Sequence, residues 1–375
     1  MRNLKDAWRG ISEASATSSL LAIVIGLLTG FAVLMISNPA QGVDGFIAIL
    51  TSGISDMKSM GNVLYYATPI IMTGLAVGFA GKTGLFNIGA SGQFTAGAYA
   101  AILVGVKCDF LPGPLHWITA LAAAALAGAV VGALPGLLKA YRNINEVISC
   151  IMMNYIGMYL INYLITLTVH DTLKNQTQRV ASGANLPKLG FDLIFRSGNS
   201  ASSANAGILV AIAAAIIIFI LLEKTVFGFE LKACGYNRDA ALYAGINERR
   251  GIVFSMMISG ALAGVGGALL YLAGSGKGID VVDVIAAEGF NGIPVALLAL
   301  NNPVGIIFSG LFVAYLEVGG FNMQLYNFAP QVIEIIVAII IYFSALALLM
   351  KGLLTGKIRP WKKKARLGTN AGGAE

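Results

Sequence analysis

Apolar stretches about twenty residues long, the length of helix needed to span a hydrocarbon core about 30 Å thick, recur along most of this 375-residue chain. Hydrophobic residues make up 57% of the chain and charged residues 11%, which excludes an ordinary soluble domain. We therefore predict an all-α, polytopic transmembrane helical bundle with about ten spans. They lie roughly at residues 19–36, 62–80, 84–105, 116–138, 146–168, 206–222, 252–273, 287–300, 303–319 and 331–350.

The distribution of Lys and Arg predicts the orientation of the bundle. With ten spans and a cytoplasmic N-terminus, most of the 25 basic residues fall on the cytoplasmic side, as the positive-inside rule requires. The N-terminal region lacks the layout of a cleaved signal peptide, so the first helix is expected to remain. The short segment 41–58 is predicted as an interfacial amphipathic helix. The resulting division is a cytoplasmic N-terminus (1–18), a transmembrane domain (19–350) with an external loop (169–205) and a cytoplasmic loop (223–251), and a basic cytoplasmic tail (351–375).

Several function classes are disfavoured by the sequence. The net charge of +7 lies on no basic stripe of a soluble domain, so we expect the lipid bilayer and not nucleic acid as the partner of these charges. The three cysteines are unclustered and the two histidines are far apart, so we expect no metal site and no cofactor. There is neither a G-x-x-x-x-G-K-[ST] motif nor a nucleophile–base constellation. We predict that the chain is not an enzyme, and that any ATP hydrolysis occurs on a separate subunit.

Two apolar stretches are interrupted, and they predict the route of a solute. The third carries polar residues near its start, and the eighth is broken by glycines and a proline. Polar residues in a spanning segment tend to face a bundle interior or a wet cavity, and broken segments in both halves of a transporter mark the pathway. Their hydroxyl and amide groups suit a neutral polar solute better than an ion. The candidate pathway residues are Asn87, Ser91, Gln93, Glu288 and Asn291.

A second interpretation of these polar residues is hydrogen bonding between helices, which is common among membrane helices. The same two alternatives hold for Asn154 and Asn162, which share one face of a predicted helix. Glu317 and Glu334 are predicted to lie, partly solvated, at the outer ends of the last two helices. An ion-coupled secondary transporter, a hypothesis from another class, would require carboxylates at mid-membrane. A third hypothesis is a membrane scaffold that moves nothing.

One charged segment, residues 231–250 (LKACGYNRDAALYAGINERR), lies between two predicted spans on the cytoplasmic side. Within it, DAALYAG (239–245) places two alanines after an acid and a glycine after them. Small residues on a short helix let a groove of another protein approach closely, and the glycine lets the chain turn out of the helix. The spacing alone is equally compatible with a solvated loop that contains its own helix.

Three segments carry a resemblance to one family. DAALYAG resembles the E-A-A-x-x-x-G core found in permease subunits of ABC importers, with Asp239 in place of Glu, and GYNRDAALYAGINERR resembles the coupling segment of the branched-chain amino acid, ribose and nucleoside permease family. GKTGLFNIGASGQFTAGAYAA (81–101) is similar to its G-x-x-N-[IL]-G-x-x-G-Q signature, in the form typical of nucleoside permeases. EGFNGIPVALLALNNPVGIIFSGLFVAYLEVGG (288–320) is similar to its G-[FY]-[DN]-G-I-A-V-A-L segment, with Pro294 at a position usually held by alanine. The resemblance covers roughly residues 60–350.

The resemblance implies a multi-pass subunit of the cell membrane, a permease of an ATP-driven importer. It implies nucleosides as the solute, with ribose-type sugars and branched-chain amino acids as alternatives. The implied partners are an ATP-binding subunit, a second permease subunit (a heterodimer in preference to a homodimer) and an extracytoplasmic solute-binding lipoprotein. The residues implied to contact the ATP-binding subunit are Asn237, Arg238, Asp239, Ala240, Ala241 and Gly245.

Overall fold

The computed structural model describes residues 24–345, and these are mostly helical. Two small antiparallel hairpins pair β1 (His170–Asp171) with β2 (Gln176–Thr177) and β3 (Arg196–Ser197) with β4 (Ser200–Ala201). The helices are α1 (Val24–Ser37), α2 (Gly42–Thr51), α3 (Met57–Lys82), α4 (Ala90–Lys107), α5 (Gly113–Arg142), α6 (Glu146–Thr168), α7 (Phe191–Ile194), α8 (Gly207–Lys224), α9 (Val226–Tyr236), α10 (Arg238–Tyr243), α11 (Glu248–Tyr271), α12 (Ala287–Phe290), α13 (Gly292–Leu298), α14 (Pro303–Met323) and α15 (Pro330–Ala345).

Six of the described helices are long and apolar enough to cross a membrane: α3, α5, α6, α8, α11 and α14 with its extension to Tyr326. They coincide with six of the predicted stretches. The stretch at 84–105 forms α4 only from Ala90 onward, and the stretch at 287–300 forms the two short helices α12 and α13. The predicted first and last spans extend beyond the described residues, and the N-terminal segment 1–18 and the tail 351–375 lie outside them.

Side-chain caps determine where several helices begin. The Asp56 carboxylate accepts a hydrogen bond from Ser59 N at 2.8 Å and starts α3. Asn145 caps α6 by accepting from Val147 N at 2.8 Å. These side chains satisfy backbone N–H groups that have no partner within the first helical turn. The entry points of these two spans are therefore encoded locally.

Helix α3 is the centre of the bundle and packs against α11, α14, α13 and α8, whereas α11 also packs against α4 and α5. Small residues make these contacts close. A Cβ atom at Gly97 would clash with the backbone of Gly264, and one at Gly128 would clash with the backbone of Gly260. Such backbone approach is typical of membrane helices, where packing drives association.

The segment predicted as an amphipathic helix forms α2 and a following 3₁₀ turn (Ser52–Ile54). Its buried face includes Ala48 and Ile49, which pack in a cluster with Leu34 of α1 and Leu316 of α14. The helix is thus present, and protein covers one of its faces, whereas Val43, Ile47 and Leu50 are exposed. Its place at the membrane interface stays a prediction.

The predicted external loop 169–205 folds onto the chain that follows α11. Thr177 N donates to Ile279 O at 2.9 Å, and Leu186 N donates to Leu272 O at 2.8 Å. Ala184 and Leu186 are buried beneath this layer. The loop therefore forms an ordered cover over the segment 272–286, which leads into α12.

Candidate translocation site and coupling segment

The first broken segment lies between α3 and α4. Residues 83–89 are not helical, and they lie against α11 and α6 with Gly84 and Phe86 exposed. Gly84 has φ +75°, and a Cβ atom there would clash with the backbone of Gly235 in α9. Irregular backbone at membrane depth is tolerated where protein or water satisfies its polar groups. In this segment, neighbouring helices supply the polar partners.

Asn87 and Gln93 form a buried network with Ser259 of α11. Asn87 Nδ2 donates to Gln93 Oε1 and to Ser259 Oγ, both at 2.7 Å. Gln93 Nε2 donates to Asn87 Oδ1 at 3.2 Å, and Ser259 Oγ donates to Ala76 O at 2.6 Å. Asn87 is 0% exposed and Gln93 is 1% exposed. Neither side chain lines the two cavities described below. Asn87 and Gln93 therefore hold α4, α11 and the segment between α3 and α4 together.

Ser91 lies at a smaller cavity of about 300 Å³ between α4, α6 and the segment 277–288, hereafter the α4–α6 cavity. Asn154 and Asn162 line it from α6. Asn154 Oδ1 accepts from Gly92 N at 2.9 Å, and Asn162 Nδ2 donates to Val282 O at 2.9 Å. Both asparagines therefore hydrogen-bond to neighbouring segments and also face the cavity. The two alternatives left open by the sequence, contact between helices and contact with a pathway, hold together for these residues.

A larger cavity of about 580 Å³ lies between α3, the α12–α13 break and α14, hereafter the α3–α14 cavity. Asn291, at the break, donates from Nδ2 to Glu317 Oε1 at 3.1 Å. Tyr66 and Phe321 form part of the wall, with ring centroids 5.4 Å apart and an interplanar angle of 40°. Amide, carboxylate and aromatic groups thus face one space of ligand-binding size, which is about 300–1,000 Å³ in proteins.

Glu317 is not at the end of its helix, contrary to the prediction, because α14 continues to Met323. Its carboxylate faces the α3–α14 cavity. The sequence carried a signal for this position, since an acidic residue within an apolar stretch at 303–319 is by default a functional candidate. Tyr66 and Phe321 carried no such signal, because aromatic residues are ordinary in membrane helices.

The two broken segments meet at α12. A Cβ atom at Gly289 would clash with the backbone of Ser91, so the two backbones are in direct contact. Glu288 and Lys277 line both cavities, and Lys277 Nζ lies 3.3 Å from Glu288 Oε1. Lys277 also lies 5.9 Å above the Tyr271 ring. Ser91, Glu288 and Asn291 are therefore the predicted pathway residues that the structure brings to the cavities.

The charged segment forms α9 and α10, joined at Asn237. Asn237 Oδ1 accepts from Ala240 N at 3.0 Å and begins α10. Arg238 pairs with Glu248 at the start of α11, where Nη2 donates to Oε1 at 3.1 Å. Gly245, at φ +80°, turns the chain after α10, and Ile246 N donates to Ala241 O at 3.0 Å. A left-handed residue after a helix favours glycine, as the sequence predicted.

The exposed face of α10 differs from the predicted contact set at one residue. Asp239, Ala240 and Gly245 are exposed, but Ala241 is only 3% exposed. Adjacent residues of a helix point about 100° apart, and in α10 the direction that meets the rest of the chain falls at Ala241. Ala241 therefore packs on this chain itself. The exposed apolar side chains that sequence reasoning missed are Leu242 and Tyr243, which are 61% and 93% exposed.

A helical membrane bundle with polar cavities between broken segments, and with a capped, exposed helix joining two spans, defines the membrane subunit of a transporter. The chain belongs to the family of branched-chain amino acid transport system permease components, whose sequence profile matches residues 59–345. It is therefore a permease subunit of an ABC importer, a transport component and not a catalytic enzyme, and a multi-pass protein of the plasma membrane. Subunits of this class work with an ATP-binding subunit and a solute-binding protein.

Three relatives illustrate the similarity. The guanosine ABC transporter permease NupP of Bacillus subtilis is 38% identical over 87% of this chain and 92% of that protein. The nucleoside ABC transporter permease NupB of Lactococcus lactis is 33% identical over 89% of this chain and 92% of that protein. The glucose ABC transporter permease TsgB13 of Haloferax volcanii is 32% identical over 86% of this chain and 85% of that protein. No solved structure matches the chain.

Proposed function

We propose that this permease carries nucleosides into the cell. The observation that carries the proposal is the 38% identity to the guanosine permease NupP over nearly the whole of both proteins. The α3–α14 cavity supports it, because aromatic rings beside an amide and a carboxylate suit a nucleobase better than a sugar. Glucose, named for TsgB13, and branched-chain amino acids, named for the family, are the alternative solutes.

The charges around the cavity favour nucleosides over nucleotides. Glu288, Glu317 and Glu334 line the α3–α14 cavity together with Lys277, so carboxylates outnumber ammonium groups. A phosphate entering this space would meet repulsion strengthened by the low dielectric of the surroundings. We therefore expect uncharged nucleosides to be the transported form.

We propose the predicted topology for the whole chain: about ten spans, both termini in the cytoplasm, residues 19–350 as the transmembrane domain, and basic segments at 1–18 and 351–375. Basic residues on the cytoplasmic side support it. Two native cysteines provide a test, since Cys234 in α9 would face the cytoplasm and Cys108 at the end of α4 would face outside. A membrane-impermeant maleimide should label Cys108 in right-side-out vesicles and Cys234 in inside-out vesicles. The reverse pattern would overturn the orientation.

We further propose that α10 is the surface on which the ATP-binding subunit acts. Asp239, Ala240 and Gly245 would contact that subunit together with the newly found Leu242 and Tyr243. Asn237 would hold the start of α10 through its cap. Arg238 would hold the helix to α11 through Glu248, and Ala241 would pack beneath it.

Contacts inside the chain support this mechanical role. Gly235 of α9 packs against Gly84, and the neighbouring Thr83 hydroxyl hydrogen-bonds with the Ser255 hydroxyl of α11. A displacement of α9 and α10 would therefore reach residues 83–89, which lead directly to Ser91 at the α4–α6 cavity. Closure of the ATP-binding subunits on ATP would in this way bias the bundle between outward-open and inward-open states.

We propose that a second permease subunit packs on α6. Tyr155, Tyr159 and Tyr163 recur at four-residue spacing on one face of this helix and are 48%, 57% and 62% exposed. Hydroxyl groups find no partners among lipid tails, so this face fits a polar protein surface. A heterodimer, as in nucleoside-type systems of the family, remains our preferred assembly. An extracytoplasmic solute-binding lipoprotein would dock on the ordered loop 169–205.

Uptake measurements test the function. Cells that express the complete importer should accumulate radiolabelled nucleosides, and deletion of the ATP-binding subunit should abolish uptake. Uptake that survives the deletion would favour an ion-coupled transporter. Ala240→Arg should abolish uptake while the protein stays in the membrane, because a long charged side chain would block the contact. Co-purification of the ATP-binding subunit is the readout shared with the matched control: Ala240→Arg should abolish it, whereas Ala201→Arg, the same change in the exposed strand β4, should leave the ATP-binding subunit bound.

A further inference from the structure

We propose that Glu317 selects nucleosides whose base offers two adjacent N–H donors on one edge, as a 2-amino-6-oxopurine does. The inference deepens the proposed function and rests on it. It concerns the α3–α14 cavity, where Glu317, Asn291, Tyr66 and Phe321 lie together. Neither the motifs in the sequence nor the names of relatives assign a role in the choice of solute to Glu317, Tyr66 or Phe321.

The carboxylate of Glu317 is positioned to accept hydrogen bonds from a ligand. Asn291 donates to Oε1 at 3.1 Å, which holds the group in one orientation. An ionised carboxylate has about four acceptor sites in total, so one donor leaves most of them for a ligand. Since Glu317 lines the cavity, that capacity is available to a molecule inside it.

Base chemistry then decides which nucleosides fit. A 2-amino-6-oxopurine presents a ring N–H and an exocyclic amino group side by side, and these two parallel donors match the two oxygens of a carboxylate. Paired charge-assisted hydrogen bonds of this kind are both strong and specific in geometry. A 6-oxopurine without the amino group offers one donor. A 6-aminopurine places a ring nitrogen lone pair against the carboxylate, which is repulsive.

The walls of the cavity suit the faces of a planar base. Tyr66 and Phe321 pack against each other, with ring centroids 5.4 Å apart, and together form one aromatic wall, which Pro69 and Ile70 extend along α3. Aromatic side chains bind bases by stacking without choosing among them. The aromatic wall therefore gives affinity for any nucleobase, and Glu317 discriminates among bases by the donors on their hydrogen-bonding edge.

Replacement of Glu317 by Gln tests the proposal, because an amide has one acceptor and one donor. That pattern matches the edge of a 6-aminopurine and mismatches the two-donor edge of a 2-amino-6-oxopurine, which then pairs only through its oxygen and ring N–H and leaves the amino group without a partner. Maximal uptake rates of guanosine and adenosine are measured separately, each at saturating solute, so that the solute-binding protein is full in both cases. We expect the guanosine-to-adenosine ratio to fall about tenfold or more in Glu317→Gln, as for loss of a bidentate base contact.

The matched control is Glu230→Gln, the same change at an exposed position of α9 that lines neither of the two cavities. Its guanosine-to-adenosine ratio should equal that of the unmodified protein. Equal changes in both variants, or no change in Glu317→Gln, would overturn the role of Glu317. If the unmodified importer moves sugars or amino acids but no nucleoside, the proposed function itself fails.

A second measurement needs no variant and applies even if Glu317→Gln fails to fold. The unmodified importer should transport inosine, which lacks the amino group, and 1-methylguanosine, which lacks the ring N–H, at lower maximal rates than guanosine. Equal maximal rates for the three nucleosides would contradict recognition of the paired donors.

Discussion

Replacement of Asn87 by Ala distinguishes a residue that holds helices together from one that contacts the solute. Asn87 is fully buried and makes two hydrogen bonds at 2.7 Å, to Gln93 and Ser259. Each lost bond costs about 1 kcal/mol, and a buried Gln93 amide left without its partner costs about 1–3 kcal/mol more. Interhelical bonds in membrane proteins average about 0.6 kcal/mol, which sets the lower end. We expect Asn87→Ala to lower the free energy of unfolding by about 2–4 kcal/mol.

The assay is reversible unfolding of the purified protein in mixed micelles of a mild detergent and dodecyl sulfate. The matched control is Asn162→Ala, because Asn162 binds Val282 O at an exposed position. That change should alter the free energy of unfolding by less than about 0.5 kcal/mol. The guanosine-to-adenosine uptake ratio should be the same for Asn87→Ala and the unmodified protein. An Asn87→Ala protein with unchanged stability but altered solute preference would refute the structural role.

Two further predictions concern the cytoplasmic side. Gly84→Val places a branched side chain against Gly235 at a position with positive φ. We expect the variant to reach the membrane with uptake reduced more than about tenfold. Uptake near the normal rate would contradict the proposal that movement of α9 reaches residues 83–89 through this contact. Burial, with Glu248 and Glu230 nearby, raises the pKa of Cys234 above the ordinary 9.0. Because a raised pKa keeps the thiol protonated, maleimide labelling of Cys234 should rise only at higher pH than labelling of a cysteine peptide, and coincident pH–rate curves would refute this.

The membrane helices could be predicted from the sequence because their signal is local. Length and apolarity identify the six long helices, and caps such as Asp56 and Asn145 mark where two of them begin. Breaks at glycine and proline are equally local, which is why both interrupted segments were predicted. The late start of α4 at Ala90 was missed, since apolar composition does not distinguish helix from enclosed irregular backbone.

The side chains that face the cavities were less predictable. Ser91 and Gln93 are two residues apart in one motif, yet Ser91 faces a cavity and Gln93 faces Asn87. Only the packing of α11 and α12 decides between these directions. The contact between Glu317 and Asn291 depends on how α14 packs beside the α12–α13 break. The burial of Ala241 depends on how α10 is rotated against α9. Polarity indicates that such a residue matters, and tertiary packing determines what it contacts.

Site-specific photocrosslinking from α10 is the most direct test of the coupling of this permease to its energy source. A photoreactive phenylalanine at position 240, in membranes that contain the complete importer, should give an adduct with the ATP-binding subunit. The same probe at position 201 should give none. An adduct with the ATP-binding subunit from position 201, or none from position 240 in an importer that transports, would contradict the account.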